Sequence, residues 1–299
     1  MEGRRRARVK VAFGIQGSGQ HVDGAPDPGV FRELAQTAEA LGYDSIWAGD
    51  HISYRNPILD VVVALSTFAA VTKRITIGAG VVLLPLRHPS VVAKEFSSLD
   101  YVSGGRVILG VGVGGEGEKD FEAVGVAVRE RGARTNEAMR ALRALFSGDG
   151  TFSGRFFSFQ DIEIEPGSTQ PGGPPLWVGG RSDAALTRAA TLGDGWIPLW
   201  VSPERLAAGY EQLPEHVVPA VALPAHVGEK RHLYEHLRQR YSGDFSEHVV
   251  DRYCIAGSPD ECAARLRGYI DAGARHVVFN VCEPEDVERL REVARAAAG

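Results

Sequence analysis

One pattern limits what this chain can fold into. Short, β-branched apolar runs alternate with segments whose apolar residues recur every three or four positions. The first kind of run reads as a buried strand and the second as an amphipathic helix. Strands are expected at Val9–Ile15, Ser45–Ala48, Ile75–Leu84, Arg106–Val113, Leu176–Val178, Gly195–Leu199, Val217–Leu223 (interrupted by Pro219) and His276–Val281. Helices are expected at Pro28–Leu41, Ile58–Val71, Pro89–Val102, Arg129–Phe146, Asp183–Leu192, Pro259–Ala272 and Pro284–Ala298, with a further one somewhere in 228–250. Ile75–Leu84 is apolar at every second position on both faces, which suits a strand covered by helices outside and a barrel core inside. Residues 147–175 break the rhythm and end in a Pro-Gly-Gly-Pro-Pro run, so they read as an inserted hairpin and loop after the fourth helix.

About eight strands alternating with helices point to the α/β class, as a (β/α)8 TIM barrel forming one domain over residues 1–299. The rival is a doubly wound sheet, whose GxGxxG fingerprint is missing after the first strand. Gly14, Gly17 and Gly19 have the wrong spacing. Composition narrows the partners. With 33 Lys plus Arg against 38 Asp plus Glu, the formal charge is −5, which argues against a nucleic-acid binder working through a basic face. No run of about 18 apolar residues is present to span a bilayer. The basic start, Met1 to Arg6, lacks the apolar stretch of a secretory signal. Cys254, Cys262 and Cys282 are odd in number, lack CxxC spacing, and read as inert buried thiols rather than disulfides or metal ligands. A cytoplasmic location, without membrane or nucleic-acid partners, is the expectation.

In a barrel the chemistry sits where strands end, so those positions carry the functional reading. After the second strand stand Asp50 and His51, either an acceptor beside a proton-transfer group or a loop pair that caps the next helix. Gly78 and Gly80 interrupt the third strand. They mark either close approach by a ligand or relief of crowding inside the barrel. Gly110, Gly112, Gly114 and Gly115 follow in the fourth, with Glu116 as a candidate acid, base or hydrogen-bond partner on a loop that is otherwise plain surface. After the fifth come Gly179, Gly180, Arg181 and Ser182, an anion site at a helix N-terminus or a simple capped turn. Taken together, the four clusters suit a flat ring on bare backbone with a phosphate held at a helix start.

At these same residues the sequence resembles the luciferase-like monooxygenase family, especially its coenzyme F420-dependent oxidoreductases. The resemblance is carried by LGYDSIWAGDH at 41–51, RITIGAGVVLLPLRHPSVVAKEFSSLDYVSGGRVILGVGVGG at 74–115, RERGARTNEAMRALRALF at 129–146 and PPLWVGGRSDAALTRAATLGDGWIP at 174–198. It covers roughly two thirds of the chain, Val9 to Pro198, and fades from Val201 to Asp251. It implies a (β/α)8 barrel, often a homodimer, with a flavin or deazaflavin across the C-terminal mouth. By the same resemblance, Asp50 and His51 stand beside the ring, with His51 as the proton-transfer group and Asp50 and Glu116 setting its environment. Gly80–Val81 matches a non-proline cis peptide behind the ring, and Leu83 a pocket-lining position. Gly112, Gly114, Gly179, Gly180, Arg181 and Ser182 match backbone or side chains that hold the cofactor. FMN-using members often carry an arginine in the loop after strand four. Val113 stands there instead, which favours F420.

The expected function is hydride transfer between F420 and a small organic molecule. An FMN-dependent monooxygenase using reduced flavin and O2 is the alternative. From another class come a cofactor-binding protein without turnover and a barrel isomerase or lyase acting on a phosphorylated substrate. Trp200, Tyr210, His226, His232 and Tyr241 are candidates for the substrate wall.

Overall fold

Eight of the apolar runs pair in parallel and close on themselves. In a computed structural model the strands are β1 (Ala12–Gln16), β2 (Ser45–Ala48), β3 (Thr76–Ala79), β4 (Val107–Gly112), β5 (Leu176–Gly179), β6 (Gly195–Ile197), β7 (Val218–Val227) and β8 (His276–Val281). Hydrogen bonding follows that order, and the ring closes where Phe13 of β1 lies opposite Val277 of β8. The structure describes residues 10–17, 21–22, 25–115, 117–241 and 246–299. Around the strands lie α1 (Pro28–Ala40), α2 (Val61–Val71), α3 (Pro89–Ser103), α4 (Glu118–Ala123), α5 (Arg131–Phe146), α6 (Asp183–Leu192), α7 (Pro203–Tyr210), α8 (Lys230–Arg240), α9 (Glu247–Tyr253), α10 (Pro259–Asp271) and α11 (Asp286–Ala298). The architecture is a (β/α)8 barrel. Among the described residues, no helix is long and apolar enough to cross a membrane.

Residues alternate between two cores along each strand, as the pleat requires. Ile46, Leu109, Val178, Val221 and Phe279 face the helices and belong to the large outer core. Trp47, Ile108, Trp177, Ala220 and Val278 point inward and form the barrel interior. Glycine makes room there. A Cβ on Gly78 would lie 2.2 Å from the Trp47 ring, and one on Gly110 would lie 2.0 Å from the Ala79 carbonyl oxygen. For Gly78 the reading of relief from crowding is therefore the correct one.

The interior also buries a polar set. His276 Nε2 and Ser45 Oγ are 2.7 Å apart, and Trp47 Nε1–H donates to the same Oγ at 2.7 Å. The His276 ring meets Trp47 and Trp177 edge-on. Burial lowers its pKa from 6.5 to about 4, so the folded chain holds this imidazole neutral. The unfolded chain takes up the proton near pH 6.5 while the native one waits until about 4, so stability falls as pH drops through that window. The loss amounts to about 3 kcal/mol once pH is below both values. Urea unfolding at pH 7.5 and 4.5 should show a smaller acid penalty for His276→Gln than for the parent chain. An unchanged penalty would refute the assignment.

Several differences from the sequence reading have local causes. The run at 75–84 is not one strand. It breaks at Gly80–Val81, whose peptide bond is cis, before Val82–Leu83 pairs again with β4. β7 runs on through Pro219 and Pro224 to Val227, because β6, β8 and the short strand Ile255–Gly257 supply the pairing that the two prolines interrupt. Residues 228–250 contain α8 and the start of α9 rather than a single helix, and the short α4 and α7 were not expected. Between α5 and β5, Phe152–Ser153 and Ser158–Phe159 pair as a short antiparallel hairpin.

Candidate active site

The C-terminal ends of the strands surround a cleft of about 410 Å³, within the range of small-molecule sites. Its floor is Val81. A Cβ on Gly112 would lie 2.5 Å from Val81 Cγ2, and one on Gly179 would lie 3.0 Å from Cγ1, so these glycines form the socket that seats that side chain. The sequence reading took them as bare backbone under a ligand. Gly112 and Gly179 do line the cleft, but their missing side chains are explained by Val81. Beside the floor, the Gln16 amide donates to the Gly80 carbonyl at 3.0 Å, tying β1 to the β3 bulge. Gln16 lines the cleft and was not anticipated, since one glutamine at a strand end gives no pattern.

On one wall, His51 Nδ1 lies 2.7 Å from Asp120 Oδ2, and the His51 ring stacks on Tyr54 at 4.1 Å. Asp120 is buried on α4, and its other oxygen accepts the Ile52 and Ser53 N–H groups, each at 2.8 Å. This carboxylate fixes both the loop after β2 and the imidazole plane. By accepting at Nδ1 it favours the tautomer that carries its proton there. Asp120 was not singled out in the sequence reading. Glu116, proposed for that role, lies outside the described residues.

Asp50 precedes His51 in the chain. It is buried at the cleft edge, yet its carboxylate accepts Leu83 N–H at 3.0 Å and the Arg87 guanidinium at 2.7 Å. It therefore braces the loop after β3. Burial works against the Arg87 charge, but Asp50 and Asp60 more than offset it and raise the Arg87 pKa. Leu83, held by this bond, lines the cleft as expected.

Gly179, Gly180 and Arg181 border the cleft where β5 meets α6. Gly180 has φ +101°, a region that disfavours side chains, and its carbonyl accepts from Trp196 Nε1 at 2.9 Å. Arg181 Nη1 donates to the Trp200 carbonyl at 3.2 Å. Ser182 does not line the cleft. Its Oγ caps α6 by accepting Ala185 N–H at 3.2 Å. Of the expected wall residues, Trp200 and Tyr241 line the cleft, meeting edge-on at 5.4 Å. Tyr210, His226 and His232 do not, and Tyr210 instead donates to the Ala220 carbonyl. The three cysteines are buried, and burial raises their thiol pKa values to about 12, 11 and 12 for Cys254, Cys262 and Cys282.

A flat heterocycle carrying N–H groups and an anionic tail fits these residues. Among the described residues, Asn280 Oδ1, on β8 at the cleft, is buried without a donor, and the Cβ direction of Gly115 meets open space. The α6 N-terminus beside Arg181 suits a phosphate.

Fold and site together define a (β/α)8 barrel of the enzyme type, with its cleft at the C-terminal mouth. The sequence profile of the luciferase-like monooxygenases matches residues 8–217, so the chain belongs to that family. It is 35% identical over 218 residues to an uncharacterized protein of Mycobacterium tuberculosis, covering 65% of this chain and 74% of the relative. It is 28% identical over 298 residues to an F420-dependent glucose-6-phosphate dehydrogenase of Amycolatopsis mediterranei, covering 83% and 87% of the two chains. The fold superimposes on an F420-dependent secondary alcohol dehydrogenase in complex with an F420–acetone adduct, with TM-score 0.84 and 20% identity, over 96% and 99% of the chains.

Proposed function

We propose that this chain is an F420-dependent oxidoreductase that moves a hydride between the coenzyme and a carbonyl- or alcohol-bearing small molecule. The observation that carries the reading is the cleft itself, with Val81 as its floor, the His51–Asp120 pair on one wall and the start of α6 at its border. The relative from Amycolatopsis supports F420 as the cofactor. When bound, F420 supplies hydride transfer at ring carbon C5, chemistry that largely ignores oxygen. The chain supplies position and proton handling. Val81 supports one face of the ring, Asn280 and the backbone near Gly80 offer acceptors, and Gly180 and Arg181 hold the phosphate. His51 Nε2 takes or returns the proton of the substrate hydroxyl, with Asp120 holding the ring in place. The Asp50–Arg87 pair keeps Leu83 against the cleft, and Trp200 and Tyr241 limit what the substrate can be.

The test is a titration of the purified chain with F420 and with FMN, followed by absorbance, then turnover with a panel of secondary alcohols and sugar phosphates. F420 should bind at least about tenfold more tightly, with oxygen-independent reduction. Tighter FMN binding with oxygen-dependent turnover would point to the monooxygenase reading, and binding of neither would overturn both. A homodimer in the cytoplasm is part of the proposal. Helices α2 and α3 expose Val63, Val91, Tyr101 and Val102, and light scattering on the same samples should give twice the chain mass.

A further inference from the structure

Outside the cleft, a group of metal-ligating side chains gathers where β8 ends and α8 begins. His232, Cys282 and Glu283 offer one nitrogen, one sulfur and one oxygen, all within 4.8 Å of one another. His232 Nε2 is 3.0 Å from Glu283 Oε1, and Cys282 Sγ is 4.0 Å from the same oxygen. Ligands of a tetrahedral zinc, with bonds of about 2.0–2.3 Å, lie roughly 3.3–3.7 Å apart, so these separations bracket what the ion needs.

The surroundings hold the three donors in place. Glu283 N–H donates to Asp286 Oδ2 at 3.1 Å, and Val227 N–H donates to Asp286 Oδ1 at 3.0 Å, which pins the turn after β8 to the end of β7. His226 Nδ1 completes the anchor, 2.9 Å from Asp286 Oδ2, and its ring stacks on His232 at 5.0 Å. Asp286 is engaged by these groups and serves as support behind the ligands. Cys282 is fully buried against Leu233 and Leu237 of α8, whereas the His232 and Glu283 side chains are 56% and 37% exposed. A cation at this place has protein on one side and a path to solvent on the other.

We propose that His232, Cys282 and Glu283 form a binding site for a thiophilic divalent cation of the zinc type, with water completing the shell. Sulfur and imidazole donors select zinc over magnesium or calcium, which take oxygen ligands. The ion would staple the start of α8 to the end of β8. The far end of α8 carries Arg240, which with Tyr241 lines the cleft, so the staple would steady one cleft wall.

The inference does not depend on which cofactor the cleft takes, and its test reads metal directly. The full chain, stripped with a chelator, is titrated with Zn2+ in competition with a chromogenic chelator and separately with Co2+. One equivalent should bind, and Co2+ should give a near-ultraviolet thiolate charge-transfer band. His232→Ala, at a half-exposed position, should weaken Zn2+ binding by at least about tenfold. Cys282→Ser should abolish the band while circular dichroism reports an intact fold. Absence of stoichiometric binding overturns the proposal, as does unchanged affinity in His232→Ala. If Cys282→Ser fails to fold, the His232→Ala result decides.

Discussion

Replacing His51 with alanine is expected to cut turnover about 10²–10⁴-fold while leaving F420 affinity nearly unchanged, the signature of a lost proton-transfer group rather than a lost binding contact. The ring stands at the cleft wall, held by Asp120. Asp120→Asn sharpens the test. An asparagine keeps the volume, but its amide no longer enforces the tautomer at Nδ1. Turnover should fall in that variant too, by less than in His51→Ala. The measurement is single-turnover absorbance change with an alcohol identified from the panel, together with cofactor affinity from the same titration. Full activity in His51→Ala would remove the imidazole from the mechanism, and abolished turnover with intact binding would exclude a cofactor carrier without chemistry.

The second large effect is on stability. Gly110→Ala should destabilise the barrel by about 3 kcal/mol, because the new Cβ would lie 2.0 Å from the Ala79 carbonyl oxygen on the neighbouring strand. A backbone oxygen inside a closed barrel cannot swing aside as a side chain would. Gly115→Ala is the control. Among the described residues, no atom beyond its chain neighbours lies within 4 Å of the added carbon there, so the change should stay within about 0.5 kcal/mol. Urea midpoints at equal slope separate the two. Equal effects from both variants would mean that the crowding reading is wrong.

These two variants also mark the division between what could be read in the sequence and what could not. The strand and helix order was legible, since period-2 and period-3.6 patterns are local. Ser45–Ala48, Asp183–Leu192 and His276–Val281 have the expected bounds. The location of the cleft followed from strand ends, and His51, Leu83, Gly180 and Arg181 all line it. The partners of those residues were not legible. His51 pairs with Asp120, 69 positions along the chain, and Asp50 with Arg87, 37 positions along. Nothing in the local spelling distinguishes Asp120 from any other acid on a short helix. A glycine-rich strand likewise reads the same whether a ligand or a neighbouring Trp47 or Val81 fills the space.

The amino-acid sequence by itself determined the (β/α)8 class and the ring of glycine-bearing strand ends, because each depends on residue type and short-range spacing. It also carried the family resemblance, which the profile match over residues 8–217 bears out. The tertiary structure alone decided what each polar group touches. It gave Asp120 to His51, Arg87 to Asp50 and Val81 to the glycine socket, and it brought His232 beside Cys282 and Glu283. The physical reason is that hydrogen bonds and van der Waals contacts act over a few ångströms. Which distant residues come that close is fixed only when the barrel closes.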